Sequence, residues 1–117
     1  MGRRKRLRSR NSGLLRRISV PKKLPPVHPG EILKETLVDL GLSMNQLAHA
    51  IGVPANRIGA IVAGTRSITG ETALRLARYF GTTAEYWINM QAHYDLEIAR
   101  DEFEAAVRKE IVPRSAA

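Results

Sequence analysis

The stretch Ser43-Met44-Asn45-Gln46-Leu47-Ala48-His49-Ala50-Ile51-Gly52-Val53-Pro54-Ala55-Asn56-Arg57-Ile58-Gly59-Ala60-Ile61-Val62-Ala63-Gly64 decides the fold. Ser43 followed three residues later by Gln46 has the form of a capping box, which marks a helix start. Leu47, Ala48 and Ile51 then recur at helical spacing, and Gly52 ends the helix after about two turns. Pro54 opens the next helix, whose inner face is Ile58, Ile61 and Val62 and whose stop is Gly64. Two short helices joined by a tight glycine turn make a helix-turn-helix. Ala48 has to be small because the second helix crosses close to it. Gly52 supplies the backbone conformation that sets the crossing angle, and Val53 plugs the gap. A purely structural helical hairpin has some of these features; all of them at this spacing point to nucleic-acid recognition.

Outward from this hairpin the chain reads as further short helices. Upstream, Pro29 suits a first helical turn, with Glu31 and Glu35 near its positive end. Ile32, Leu33, Leu37 and Leu40 form the apolar face, and Gly41 is the stop. Downstream, Thr69 caps a fourth helix carrying Ala73, Leu74, Leu76, Ala77 and Phe80, and Gly81 stops it. Thr83 caps a fifth, and neither Gly nor Pro interrupts residues 84–112. No run alternates as a strand does, so the expected fold class is all-α.

Composition sets the outer limits. The chain has 117 residues, long enough for one modest core. It has no cysteine, which excludes a disulfide scaffold, a thiolate metal site and a cysteine nucleophile. No apolar run is long enough for a membrane helix, and the basic N-terminus lacks a secretory h-region; a soluble cytoplasmic protein is expected. His28, His49 and His93 have no metal-site spacing. No phosphate loop follows a strand, and no serine has a histidine–acid context. Enzymatic activity, a metal and a cofactor are therefore not expected.

The net charge of +8 is unevenly placed. Residues 1–23 hold ten bases and no acid, whereas the rest holds nine bases and eleven acids, a net of −2. A tail of this kind reads as an arm for nucleic acid or another polyanion. A solvated extension, or a start codon placed too early, accounts for the same run. Pro21, Pro25, Pro26 and Pro29 stiffen the stretch that follows. The organisation expected is therefore a basic arm and proline-rich linker over 1–27, a helix-turn-helix unit over 28–81, a C-terminal helix over 82–112 for packing or dimerisation, and a tail over 113–117.

On a helical wheel the third helix puts Asn56, Ala60 and Ala63 opposite its apolar side, with Ala55, Arg57 and Gly59 on the flanks. The groove-facing surface is small and smooth. Asn56 and Arg57 are the long polar readers; Asn pairs bidentately with adenine and Arg with guanine. Arg57 is equally suited to a salt bridge or a phosphate. Ala55, Gly59 and Ala60 let the backbone approach the bases. Ser43, Asn45 and Gln46 at the second helix N-terminus are candidate phosphate contacts, as are Thr65 and Arg66 just past the third helix. The fifth helix shows two apolar stripes. One is Ile88, Ala92, Leu96, Ala99, Phe103 and Ala106; the other is Trp87, Tyr94, Ile98, Ala105 and Val112. One stripe suffices to cover a small domain, so Trp87, Tyr94, Ile98 and Ala105 are expected to meet a partner.

Residues 28–96 resemble the HigA-type antitoxins of the Xre, or lambda-repressor-like, helix-turn-helix superfamily. The matching words are His28-Pro29-Gly30-Glu31-Ile32-Leu33, Gln46-Leu47-Ala48, Asn56-Arg57-Ile58, Ile61-Val62-Ala63-Gly64, Thr72 to Gly81, and Tyr86-Trp87-Ile88-Asn89-Met90-Gln91. The resemblance implies a five-helix lambda-repressor-like domain with a long C-terminal helix, here with a basic N-terminal extension. It implies a homodimer that binds double-stranded operator DNA and represses its own operon. It also implies a RelE/HigB-like toxin partner that cleaves mRNA at the ribosome. Such proteins begin just before the His-Pro-Gly-Glu word, so the resemblance says nothing about residues 1–27. A solitary Xre-type regulator without a toxin, and an RNA-binding accessory protein driven by the Arg-rich tail, remain alternatives on sequence alone.

Overall fold

The computed structural model describes residues 25–115, and the basic arm lies outside the described residues. Five helices follow in order: α1 (Pro29–Leu40), α2 (Met44–Ile51), α3 (Ala55–Val62), α4 (Gly70–Phe80) and α5 (Ala84–Glu110). No strand occurs among the described residues. Local chemistry sets the boundaries. Ser43 and Gln46 form the reciprocal capping box at α2, while Thr69 and Thr83 cap α4 and α5 through their hydroxyls. Pro54 is itself the extended cap of α3, which starts one residue later, at Ala55. Gly52 is left-handed, with φ 74°, and its N–H donates to the Ala48 carbonyl at 2.9 Å.

The helices pack as α2 on α3 and α4, α1 on α3 and α5, and α4 on α5. Between them lie Leu33, Leu37, Leu47, Ala48, Ile51, Ile58, Ile61, Ile68, Ala73, Leu76 and Trp87, all buried. Val53 is buried too, as expected for the plug between α2 and α3. Two apolar residues depart from the periodic reading. Leu40 is 57% exposed. It shares the face of Leu33 and Leu37 but lies at the end of α1, on the rim of a groove lined also by Phe80, Tyr86 and Trp87. Leu74 is 65% exposed because Ala73, Leu76 and Ala77 define the inner side of α4 and Leu74 points about 100° away.

The junction at residues 28–30 ties three helices together. His28 caps α1: its Nδ1 accepts the Gly30 N–H at 2.9 Å. Its ring meets the edge of Tyr94 on α5, with centroids 4.8 Å apart. Gly30 is buried against the end of α3. A Cβ there would stand 2.8 Å from the Ile61 carbonyl carbon and closer still to its oxygen. Only glycine permits this approach of α1 to α3.

Helix α5 is continuous for 27 residues, about 40 Å at 1.5 Å per residue. Its two stripes behave differently from expectation. Trp87 is 1% exposed, so it does not face a partner. It packs beside Phe80, and its Nε1–H donates to Thr82 Oγ1 at 2.8 Å. Gln91 is buried, and Tyr94 and Ile98 are half-buried along the same side. Trp87 and Tyr94 of the stripe assigned to a partner thus turn toward the molecule's own domain, and so does Ile88 of the other stripe. Ala105 is exposed only because α5 has by then run past that domain.

Candidate nucleic-acid interface

Helix α3 presents the residues expected to read bases. Ala55 and Asn56 are exposed in its first turn, and Gly59 and Ala60 are partly exposed. The other side of the helix, Ile58 and Ile61, is fully buried, so α3 is held firmly with its small, smooth face outward. Its N-terminus carries no side-chain cap. Pro54 has no donor and no polar side chain, which leaves the first-turn N–H groups of Ala55 and Asn56 directed at whatever approaches.

Arg57 is placed differently from its neighbours. Its side chain is only 22% exposed and runs to Glu71 on α4, with Nη1 3.8 Å from the carboxylate. Its Nε is buried without a hydrogen-bond partner. Glu71 also takes Arg75 Nε and Nη2 at 3.3 and 3.0 Å. Arg75 Nη1 donates to the Ile51 carbonyl at 2.8 Å. The end of α2, the start of α3 and the start of α4 are thereby linked through one carboxylate. Sequence reading missed both Glu71 and Arg75, because the Glu71–Arg75 spacing of four looks like an ordinary surface pair.

The candidate phosphate contacts lie at two places. At α2, the Ser43 Oγ accepts the Gln46 N–H at 3.0 Å and the Ser43 N–H donates to Gln46 Oε1 at 2.8 Å. The box uses the Gln46 carbonyl oxygen and leaves its amino group available. Asn45 beside it is exposed. Past α3, the Thr65 and Arg66 N–H groups both donate to the Ala60 carbonyl, at 2.9 and 3.2 Å, and both side chains are exposed. The loop that follows is anchored by a residue not singled out in advance. Buried Gln91 accepts the Ile68 N–H at 2.8 Å and donates to Asp95 at 2.9 Å. Burial lowers the pKa of His28, partly opposed by the carboxylates of Asp95 and Glu31. The neutral ring is the form whose Nδ1 can accept the Gly30 N–H.

Among the described residues no group of histidine and acidic side chains is placed to hold a metal ion, and no helix is long and apolar enough to cross a membrane.

Three helices packed around a two-helix hairpin, with a smooth exposed face on the hairpin's second helix, define a helix-turn-helix protein. Residues 33–87 match the helix-turn-helix family model. The chain is 51% identical to virulence-associated protein I of Dichelobacter nodosus, over 68% of this chain and 74% of that protein. It superposes with TM-score 0.76 on an addiction module antidote protein of the HigA family from Coxiella burnetii, at 49% identity, covering 78% of this chain and all of that one. The Pseudomonas aeruginosa antitoxin HigA, in a structure with the higBA promoter, gives TM-score 0.74 and 40% identity over 77% of this chain and 99% of its own. The chain belongs to the HigA family of type II antitoxins, which are DNA-binding proteins and not enzymes.

Proposed function

We propose that this antitoxin binds the operator of its own operon as a homodimer and represses it, and that it neutralises a RelE/HigB-like mRNA-cleaving toxin. The observation that carries the reading is α3: apolar side locked in the core, small-residue face outward, Asn56 exposed in the first turn. Such a helix enters a major groove with its N-terminal residues on the base edges. The structure of the P. aeruginosa relative, which contains promoter DNA, supports the same use of this fold. Asn56 reads a base. Ala55, Gly59 and Ala60 keep the backbone close, and Ser43, Asn45, Gln46, Thr65 and Arg66 hold phosphates on either side. Phosphate contacts fix register and base contacts give sequence preference.

Arg57 has two available roles. In the free protein its guanidinium lies against Glu71. On DNA it either stays there, positioning α3 against α4, or swings to a guanine.

The test is titration of the DNA upstream of the protein's own gene, with a scrambled duplex as control. A two-fold protein reads two half-sites about one helical turn apart. Asn56→Ala should weaken the operator complex by roughly 1–3 kcal/mol and leave the scrambled duplex nearly unaffected. Equal losses on both duplexes would remove Asn56 from base readout. Copurification with the product of the adjacent gene tests the toxin half of the proposal.

A further inference from the structure

Two arginines share the Glu71 carboxylate, and it holds them unequally. Arg75 Nε and Nη2 both reach Oε2, at 3.3 and 3.0 Å. Arg75 Nη1 donates to the Ile51 carbonyl at 2.8 Å, and a Cβ on Gly52 would stand 3.2 Å from the same nitrogen. Arg75 is thus fixed against the turn of the hairpin, and it fixes Glu71. The other carboxylate oxygen, Oε1, faces Arg57 Nη1 at 3.8 Å, beyond hydrogen-bond reach. Arg57 Nε is buried and has no hydrogen-bond partner among the described residues. A buried donor without an acceptor is unfavourable, so Arg57 rests in a poor position. Its departure would leave Oε2 bonded to Arg75, and Oε1, on a side chain 62% exposed, would turn to water. Nothing else in the link between α2 and α4 depends on Arg57 staying.

We infer that Glu71 is a positioning residue for DNA recognition: it holds Arg57 against α4 in the free protein, and operator binding draws the guanidinium away to N7 and O6 of a guanine. This rests on the operator binding proposed above and assigns the part played by a residue behind the DNA-facing surface. Arg57 follows exposed Asn56 in the first turn of α3, the end of the helix that meets base edges. A guanidinium bidentate on a guanine cannot also lie against Glu71, so the two positions exclude each other. Whatever Glu71 contributes to the resting position is then subtracted from operator affinity. For a partly exposed ion pair the deduction is about two- to fivefold. The sign separates this role from simple bracing. A carboxylate that braced α3 in its DNA-bound position would weaken the operator complex when removed, whereas one that holds Arg57 back would tighten it.

The experiment titrates the full chain against the duplex upstream of its own gene and a scrambled duplex, at one fixed salt concentration. Glu71→Gln keeps the length of the side chain and an acceptor for Arg75 but removes the charge. It should tighten operator binding about two- to fivefold, and the same substitution in an Arg57→Ala background should leave operator affinity unchanged. Dimethyl sulfate, which methylates guanine N7, gives a second readout. Wild type and Glu71→Gln should protect a guanine in each half-site, and Arg57→Ala should leave that guanine reactive. Weaker operator binding by a Glu71→Gln protein with native circular dichroism and melting would overturn the inference in favour of bracing. An equal gain in the Arg57→Ala background would overturn it in favour of general repulsion between Glu71 and DNA. The wild-type footprint needs no variant to fold, and the absence of a protected guanine from it would overturn the inference by itself. All three results are compatible with operator preference in the wild type. Failure of the functional reading shows differently, as equal affinity of wild type for the operator and the scrambled duplex.

Discussion

Gly30→Ala tests whether the α1–α3 junction sets the position of the DNA-facing helix. The added methyl would stand 2.8 Å from the Ile61 carbonyl carbon, nearer to its oxygen, and 3.1 Å from His28 Nδ1. Two of these three atoms are backbone at the end of α3, so no side chain can rotate away to relieve the clash. Overpacking of this kind costs about 1–3 kcal/mol. Displacing the Gly30 N–H from His28 removes a helix cap worth about 1 kcal/mol. Replacing glycine inside a helix returns at most about 1 kcal/mol. The net expectation is a destabilisation of about 2 kcal/mol, which lowers the melting temperature of a domain this size by roughly 8–16 °C. Urea denaturation followed by circular dichroism reads it directly. Gly59→Ala is the matched control, because nothing stands within 4 Å of a Cβ there. It should raise stability by about 0.5–1 kcal/mol, while its methyl on the groove side of α3 weakens operator binding. A Gly30→Ala protein as stable as wild type would refute the argument, since α1 could then ride away from Ile61 at no cost.

Two further outcomes follow from the same residues. Burial lowers the pKa of His28 from its ordinary 6.5, so between the two values the unfolded chain binds more protons than the folded one. This contribution to stability is complete above pH 6.5 and is lost as pH falls from 6.5 through the folded value; His28→Asn, which still caps, should flatten that part of the urea-midpoint profile, and an unchanged profile would detach the pH dependence from His28. Deleting residues 1–23 should leave toxin neutralisation intact, because RelE-like toxins are themselves basic and repel the ten bases there. If three or four of those bases meet phosphates, the slope of log affinity against log salt falls by roughly three units. An unchanged slope would show that the arm does not touch DNA, and loss of neutralisation would make it the toxin-gripping element.

How much of this was legible in the sequence depends on the distance over which each feature acts. The caps at Ser43, Thr69 and Thr83 and the stop at Gly52 are decided within four residues, by backbone donors that need an acceptor and a turn that needs a left-handed residue. The helix count, the hairpin and the outward face of α3 follow from them and from the spacing of Ile58 and Ile61. The sequence also shows that α5 carries one apolar stripe more than a small domain uses. Which stripe turns inward is another matter. Trp87 packs beside Phe80 and bonds Thr82, while Leu96 and Phe103 stay uncovered. A helical wheel is indifferent to rotation of the whole helix; α1 and α4 choose it by packing. Arg57 is likewise suited to a base or to a carboxylate until the fold brings α4 beside it and puts Glu71 within reach. Nothing local in the sequence marks Gln91 as a loop anchor, yet the 22 residues between it and Ile68 fold back so that it holds the loop after α3. Gly30 looks like a poor helix residue until the Ile61 carbonyl is found where a side chain would have been. Hydrogen bonds and caps between near neighbours are written in local order. Rotation of a helix, close approach of two backbones and pairing of distant charges are settled only when the helices pack, because each depends on atoms that the chain brings together from far apart.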